Sequence, residues 1–106
     1  MKKGGIILLP FPFTNLTGSK LRPAYVLYAT KEDVTVSFVT TQIKWKEKSD
    51  VVIKPSMQNG IKKDSLIRVS KIATVDIGLV WGRLGSMEME LQEIVNQNLK
   101  ELLDLN

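Results

Sequence analysis

The sequence contains several short apolar or β-branched segments, each closed by turn-forming residues, and only one long segment with helical spacing. Short runs of this kind bounded by Gly, Pro, Asn or Asp predict β-strands. The predicted strands are 6–9, 24–28, 34–42, 51–53 and 65–69, with 72–75 continuing or following the last one. Such a chain is mainly β (β+α). We predict a small antiparallel SH3-like barrel with a C-terminal amphipathic helix, and an OB-like barrel is the alternative.

The C-terminal segment carries the helical pattern. Ser86 is a preferred N-cap residue, and acids follow it where a helix dipole favours them. The apolar stripe predicted to pack in the core includes Met87, Leu91, Ile94 and Leu102. Between the last strand and this helix, 76–85 is predicted to form turns or a single helical turn, with Trp81 and Leu84 packing beneath. The 106 residues suit a single domain spanning 1–106.

Composition narrows the chemistry that this chain can perform. It contains neither His nor Cys, which excludes thiol nucleophiles, Ser-His triads and zinc-finger sites. The net charge is +4, and it is unevenly distributed: 14 Lys or Arg and 6 Asp or Glu precede Ser86, whereas one Lys and five acids follow. A basic body with an acidic end favours a polyanionic partner.

Two positions are candidates for a phosphate site. Arg22 precedes Pro23, which restrains the arginine backbone to extended geometry at the entry of a strand. In the strand 34–42, apolar residues alternate with polar ones, and Thr40 continues the apolar set at the far end. A hydroxyl in that place is expected to face a pocket. An isolated Arg-Pro pair would more commonly be a solvated charge at a strand end.

The N-terminus carries lysines before a short apolar run, 6–9, which prolines at 10 and 12 interrupt. That run is too short for a secretory signal or a membrane span. We therefore expect a cytoplasmic protein with no membrane partner.

Several blocks of the sequence resemble the MazF/PemK toxins, the endoribonucleases of type II toxin–antitoxin systems. The first block is 4–13 with 18–27, which holds the Arg-Pro-Ala strand. The second is 39–43, and the third comprises 64–67 and 71–76. The resemblance covers nearly the whole chain. Gly5 departs from the Asp that many members have, and the loop before Arg22 lacks an acid found in some of them.

The resemblance implies a fold, an activity and partners. It implies an SH3-like barrel of the MazF/CcdB type, a homodimer, and cleavage of single-stranded RNA without a metal or other cofactor. Its two catalytic positions correspond to Arg22 and Thr40. It also implies a cognate antitoxin whose disordered acidic tail occupies the RNA groove, and DNA binding together with that antitoxin.

Residue chemistry is compatible with this activity. The 2′-hydroxyl of RNA attacks the adjacent phosphorus, and a guanidinium at position 22 stabilises the charge that develops. Thr40 positions the reacting groups, while no general base is identified. Further candidates for RNA contact, which can equally be surface charges, turn residues or a cap on the core, are Ser19, Lys20, Gln42, Lys44, Trp45, Lys46 and Ser65.

Two other functions remain open from the sequence. One is a CcdB-like poison of DNA gyrase, and the other is a non-enzymatic SH3-like module that binds RNA or peptides. The first alternative is disfavoured because the chain ends without the exposed tryptophan typical of such poisons.

Overall fold

The computed structural model describes residues 1–11 and 20–105, in which six strands form one antiparallel sheet. The strand order is β4-β5-β3-β2-β1-β6. In this described part of the chain a single α-helix follows the sheet, which confirms the predicted mainly β class with a C-terminal helix. The elements are β1 Gly5–Phe11, β2 Lys20–Ala29, β3 Asp33–Thr40, β4 Val51–Ile53, β5 Ser65–Asp76, β6 Gly82–Ser86 and α1 Met89–Leu102, with 3-10 turns at Ile43–Trp45 and Ile77–Leu79.

The sheet has two apolar faces because alternate residues of a strand point to opposite sides. On one face, Tyr25 and Ile67 belong to the larger core cluster, which α1 covers with Val95. On the other face lies a smaller cluster that contains Ala24 and Val36. The segment that follows β5 packs against this second cluster through Ile77, Leu79 and Val80.

The segment 76–85 matches its prediction only in part. Ile77–Leu79 forms a 3-10 turn, as one of the two predicted alternatives had it, but Gly82–Ser86 forms a sixth strand, β6, which pairs with β1 through contacts such as Gly5 with Ser86. Trp81 is 69% exposed, so its predicted packing is wrong, whereas Leu84 does pack against the larger cluster. Two glycines and an arginine give β6 no apolar alternation, which explains why sequence patterns miss it.

The helix begins later than predicted. Its N-cap is Glu88 rather than Ser86, because Ser86 belongs to β6 and donates its N–H to the carbonyl of Gln58. Leu91 packs on the core and Met87 is buried, as predicted. Ile94 and Leu102 are 45% and 41% exposed, so their predicted core packing is wrong. Lying against β4 and β5, the helix buries only a narrow part of its apolar stripe.

Two other segments bear on the site. After β3, Ile43–Trp45 forms a 3-10 turn. The predicted 65–69 and 72–75 strands form one strand, β5.

In the part of the chain that the structure describes, no helix is long and apolar enough to cross a membrane.

Candidate nucleic-acid site

Arg22 and Thr40 lie on the neighbouring strands β2 and β3, just beyond the end of their pairing. The last pair of these two strands is Ala24 with Phe38, and Arg22 and Thr40 each lie two residues beyond it. Alternate residues of a strand point to the same face, so Arg22 shares the face of Ala24 and Thr40 shares the face of Phe38. The two side chains therefore share the face opposite α1, beyond the end of the smaller apolar cluster.

Both side chains line a pocket of about 620 Å³. Three of its described lining residues, Arg22, Arg68 and Lys71, are cationic. No described lining residue carries a carboxylate. Phe11 and Phe38 contribute an apolar wall, with ring centroids 5.8 Å apart in an edge-to-face arrangement. The remaining lining residues are Val39, Thr40, Thr41, Gln42, Ser70 and Ile72. A pocket with cations and aromatic rings suits an anionic ligand that also carries flat, apolar groups.

The hydroxyl of Thr40 has a defined orientation. Its Oγ1 accepts a hydrogen bond of 3.2 Å from the backbone N–H of Gln42, just after β3 ends. A hydroxyl has one proton and two lone pairs, so this contact leaves the proton available for donation to another group. The chain turn that brings Gln42 to the pocket thus also directs the Thr40 hydroxyl.

A bulge in β5 brings two further residues into the pocket. Ser37 pairs with Ile72 while its neighbour Phe38 pairs with Arg68, so 69–71 are extra residues on the β5 side. The buried hydroxyl of Ser37 donates to the carbonyl of Val69 at 3.1 Å. Bulges redirect side chains, and here Ser70 and Lys71 line the pocket. The polar Ser-Lys pair inside an apolar strand was the sequence signal for this feature.

Arg68 is positioned by two acids from the segment after the 3-10 turn. Its Nε lies 3.0 Å from Asp50 Oδ2, and its Nη2 contacts Glu47. The Asp50 contact is an ion pair without hydrogen-bond alignment, since Arg68 Nε lacks a hydrogen-bond partner. Asp50 is completely buried, whereas the Glu47 side chain is 57% exposed. Sequence reasoning missed this cluster because its members are far apart in the chain.

The structure separates the other predicted contact residues. Gln42 lines the pocket together with Arg22 and Thr40. Lys44, Trp45 and Lys46 are exposed on the segment beyond it and are not among the lining residues, and Lys20 is exposed at the start of β2. Ser65 is buried and donates its hydroxyl to the carbonyl of Lys63, away from the pocket. Ser19 lies outside the described residues.

Two titratable groups away from the pocket have shifted pKa values. Burial raises the pKa of Tyr25 to about 12. The Ser56 hydroxyl, which donates to Glu88 Oε2 at 2.6 Å, lowers the pKa of the Glu88 carboxyl. Asn59 donates to the other carboxylate oxygen at 3.3 Å and adds to that effect.

Over residues 1–11 and 20–105, no cluster of three or more Asp, Glu, His or Cys side chains has an arrangement that could hold a metal ion.

Comparison with protein families gives one extensive match. A family model described as "PemK-like, MazF-like toxin of type II toxin-antitoxin system" matches residues 2–103. A comparison with curated protein sequences found no match.

Solved structures match at the level of the fold. The Mycobacterium tuberculosis toxin MazF-mt6 superposes with a TM-score of 0.78 at 16% identity, covering 96% of this chain and 98% of that one. A MazE-MazF structure from Deinococcus radiodurans gives 0.77 at 19% identity, covering 100% and 97%. An endoribonuclease in complex with its cognate antitoxin, from a mycobacterial species, gives 0.78 at 16% identity, covering 100% and 97%. These matches confirm the predicted MazF-type fold.

Proposed function

The chain belongs to the PemK-like, MazF-like toxin family of type II toxin–antitoxin systems, and from that membership we propose that it is an endoribonuclease that cleaves single-stranded RNA without a metal ion. The proposal assigns catalysis to Arg22 and Thr40. Substrate is held along the cationic pocket that these two residues share.

The juxtaposition of Arg22 and Thr40 in that pocket carries the proposal. A guanidinium presents a planar fork that matches two phosphate oxygens, and it keeps its proton at every physiological pH. A hydroxyl whose oxygen already accepts the Gln42 N–H is left with a proton to donate. Two donors that converge from adjacent strands can bind one phosphate group from two sides.

The reaction consistent with these groups uses the nucleophile of the substrate itself. The 2′-oxygen forms a bond to the adjacent phosphorus while the bond from phosphorus to the 5′-oxygen breaks. Overall, the 2′-hydroxyl loses a proton and the departing 5′-oxygen gains one, which leaves a 2′,3′-cyclic phosphate and a 5′-hydroxyl. Arg22 stabilises the negative charge that grows on the phosphoryl oxygens, and Thr40 donates to one of them. DNA is not cut because it has no 2′-hydroxyl.

Recognition of the RNA is assigned to residues around the two catalytic groups. Gln42 contacts a base edge within the pocket, because its amide can both donate and accept. Lys20, Lys44 and Lys46 contact phosphates outside the pocket, and exposed Trp45 stacks on a base. Ser65 is not proposed to contact RNA, because the residue is buried and its hydroxyl donates to the carbonyl of Lys63.

The same cationic surface suits an acidic protein segment. The mycobacterial and Deinococcus relatives were solved with an antitoxin bound. We infer that this chain likewise binds a cognate antitoxin whose acidic tail enters the pocket, forms a homodimer, and binds DNA together with the antitoxin. It acts in the cytoplasm as a growth inhibitor.

The decisive experiment incubates purified protein with a long single-stranded RNA in the presence of excess chelator, followed by analysis of the new ends. We expect discrete fragments with cyclic phosphate and 5′-hydroxyl ends. Arg22→Ala and Thr40→Ala should abolish them. Matched controls are Arg83→Ala, which removes an exposed arginine from β6, and Thr74→Ala, which removes a hydroxyl outside the pocket.

Two results would contradict the proposal. Cleavage that requires added metal would refute the metal-independent chemistry. Binding of RNA without any cleavage would instead favour the SH3-like binding module.

A further inference from the structure

Arg68 is held between two carboxylates that differ sharply in exposure. Asp50 is completely buried against Arg68 Nε, while Glu47 contacts Nη2 with 57% of its side chain exposed. The Arg68 side chain is 17% exposed and lines the pocket. We propose that Asp50 permanently positions Arg68, and that Glu47 is an exchangeable cover which an RNA phosphate displaces from the guanidinium. This inference rests on the proposed function, because it assigns a second phosphate contact in the same pocket.

The Asp50 contact is the fixed half of this arrangement. Asp50 Oδ2 also accepts the backbone N–H of Glu47 at 2.9 Å, and the backbone N–H of Asp50 donates to the Glu47 carbonyl at 3.1 Å. These two bonds close a turn between Glu47 and Asp50 and do not involve Arg68. A buried carboxylate that loses its cationic partner is strongly unfavourable, so Arg68 and Asp50 stay together throughout binding.

The Glu47 contact is the exchangeable half. Ion pairs with an exposed partner contribute little to stability, because water solvates the freed carboxylate well. A guanidinium has five N–H donors, and in the described part of the chain no hydrogen bond uses Arg68 Nη1. A phosphate that approaches from the pocket can therefore take Nη1 and Nη2 together as a bidentate pair.

A consequence is that Glu47 lowers the affinity of the free protein for RNA. In the unbound state it neutralises part of the positive charge at one wall of the pocket, although no described lining residue carries a carboxylate. Removing the Glu47 charge should tighten RNA binding, whereas removing the Asp50 charge should weaken it. A merely structural role for both acids would not give effects of opposite sign.

The test measures binding of a short, mixed-sequence, single-stranded oligoribonucleotide with 2′-O-methyl groups on every ribose, which the proposed reaction cannot cut. Glu47→Gln should bind it roughly two- to fivefold more tightly than the unmodified protein. Glu93→Gln is the matched control, since it removes an equal charge from an exposed position on α1. Asp50→Asn should bind more weakly, provided that thermal unfolding shows it to be folded.

Arg68→Lys completes the set. A lysine cannot hold Asp50 and a bidentate phosphate at once, so Glu47→Gln in that background should lose most of its effect. Equal effects of Glu47→Gln and Glu93→Gln, or weaker binding by Glu47→Gln, would overturn the inference whether or not Asp50→Asn folds. Failure of the proposed function is distinguishable, because it appears as absent cleavage of unmodified RNA while the binding comparison remains interpretable.

Discussion

The buried hydroxyl of Ser37 donates to the carbonyl oxygen of Val69 at 3.1 Å, and this bond ties β3 to the bulge in β5. The bulge is what gives the pocket Ser70 and Lys71, and it follows directly after Arg68. One interior hydrogen bond on the opposite side of the sheet from the pocket thus supports a wall of the candidate site.

Ser37→Ala should therefore affect function more than stability. Loss of one buried hydrogen bond costs about 1 kcal/mol of unfolding free energy, which leaves the protein folded. Without this bond the bulge is no longer tied to β3, so RNA cleavage should fall even though almost all of the protein remains folded. Urea denaturation and a cleavage assay on the same preparations measure the two effects. Thr35→Ala, which deletes a neighbouring β3 hydroxyl that contacts Thr74 rather than the bulge, should leave cleavage unchanged.

Arg22 variants test charge against geometry. Removing a preorganised donor to developing charge typically costs about 3 kcal/mol of transition-state stabilisation, so Arg22→Ala should slow single-turnover cleavage roughly 100-fold or more. Arg22→Lys keeps the charge but loses the bidentate fork, so its cleavage rate should lie between those of the unmodified protein and Arg22→Ala. A lysine variant that cleaves at the normal rate would contradict the bidentate role.

Thr40 variants test the hydroxyl. Thr40→Ser retains an oxygen that can accept the Gln42 N–H and donate to phosphate, so it should keep most of the activity. Thr40→Val preserves the shape of the side chain without the hydroxyl and should lose about 10- to 100-fold in rate. An active Thr40→Val protein together with an impaired Thr40→Ser protein would mean that packing of the methyl group, rather than the hydroxyl, matters at this position.

Glu88 makes the unfolding free energy depend on pH in the acidic range. Its carboxyl pKa is lowered from 4.5 chiefly by the Ser56 hydroxyl, so the folded protein favours the ionised form. The resulting stabilisation is fully present above the pKa that Glu88 has in the unfolded chain. It is lost as the pH falls through the lower pKa that Glu88 has in the folded protein. Unfolding free energy measured against pH should show Glu88→Gln less stable than the unmodified protein at neutral pH. The difference should shrink below about pH 4.

Tyr25 gives the opposite pH dependence. Its Oη is buried without a hydrogen-bond partner, and burial raises its pKa to about 12. Because the unfolded chain ionises first, stability should fall as the pH rises from about 10 towards 12. Tyr25→Phe should remove that loss, and at pH 7 it should add about 1 kcal/mol or more by deleting an unsatisfied buried hydroxyl. A less stable Tyr25→Phe protein would show that the hydroxyl has a favourable contact.

Local sequence patterns predicted the elements that carry the two central residues. Alternation in 34–40 put Thr40 on the same face as Val36 and Phe38, and β3 has that arrangement. The position of Pro23 indicated that Arg22 lies at a strand entry, although β2 itself begins earlier, at Lys20. Patterns also predicted β4 with its correct bounds.

The same patterns missed β6 and the late start of α1. The glycine-containing segment of β6 has no side-chain alternation, so its strand geometry depends on pairing with β1 rather than on its own residues. Ser86 has the chemistry of an N-cap, but its backbone is already committed to that pairing. In both cases a contact distant in sequence overrode a local preference.

The sequence by itself determined which residues could perform phosphate chemistry, because the absence of His and Cys leaves guanidinium, ammonium, hydroxyl and carboxylate groups to do so. Strand periodicity, a local property of the backbone, also determined which face each of them occupies. Only the tertiary structure decided which groups meet. The register of β3 with β5 sets the bulge that delivers Ser70 and Lys71, and a buried Asp50 selects the orientation of Arg68. Those pairings join residues far apart in the chain, and free energy gained on their burial, rather than any local preference, fixes them.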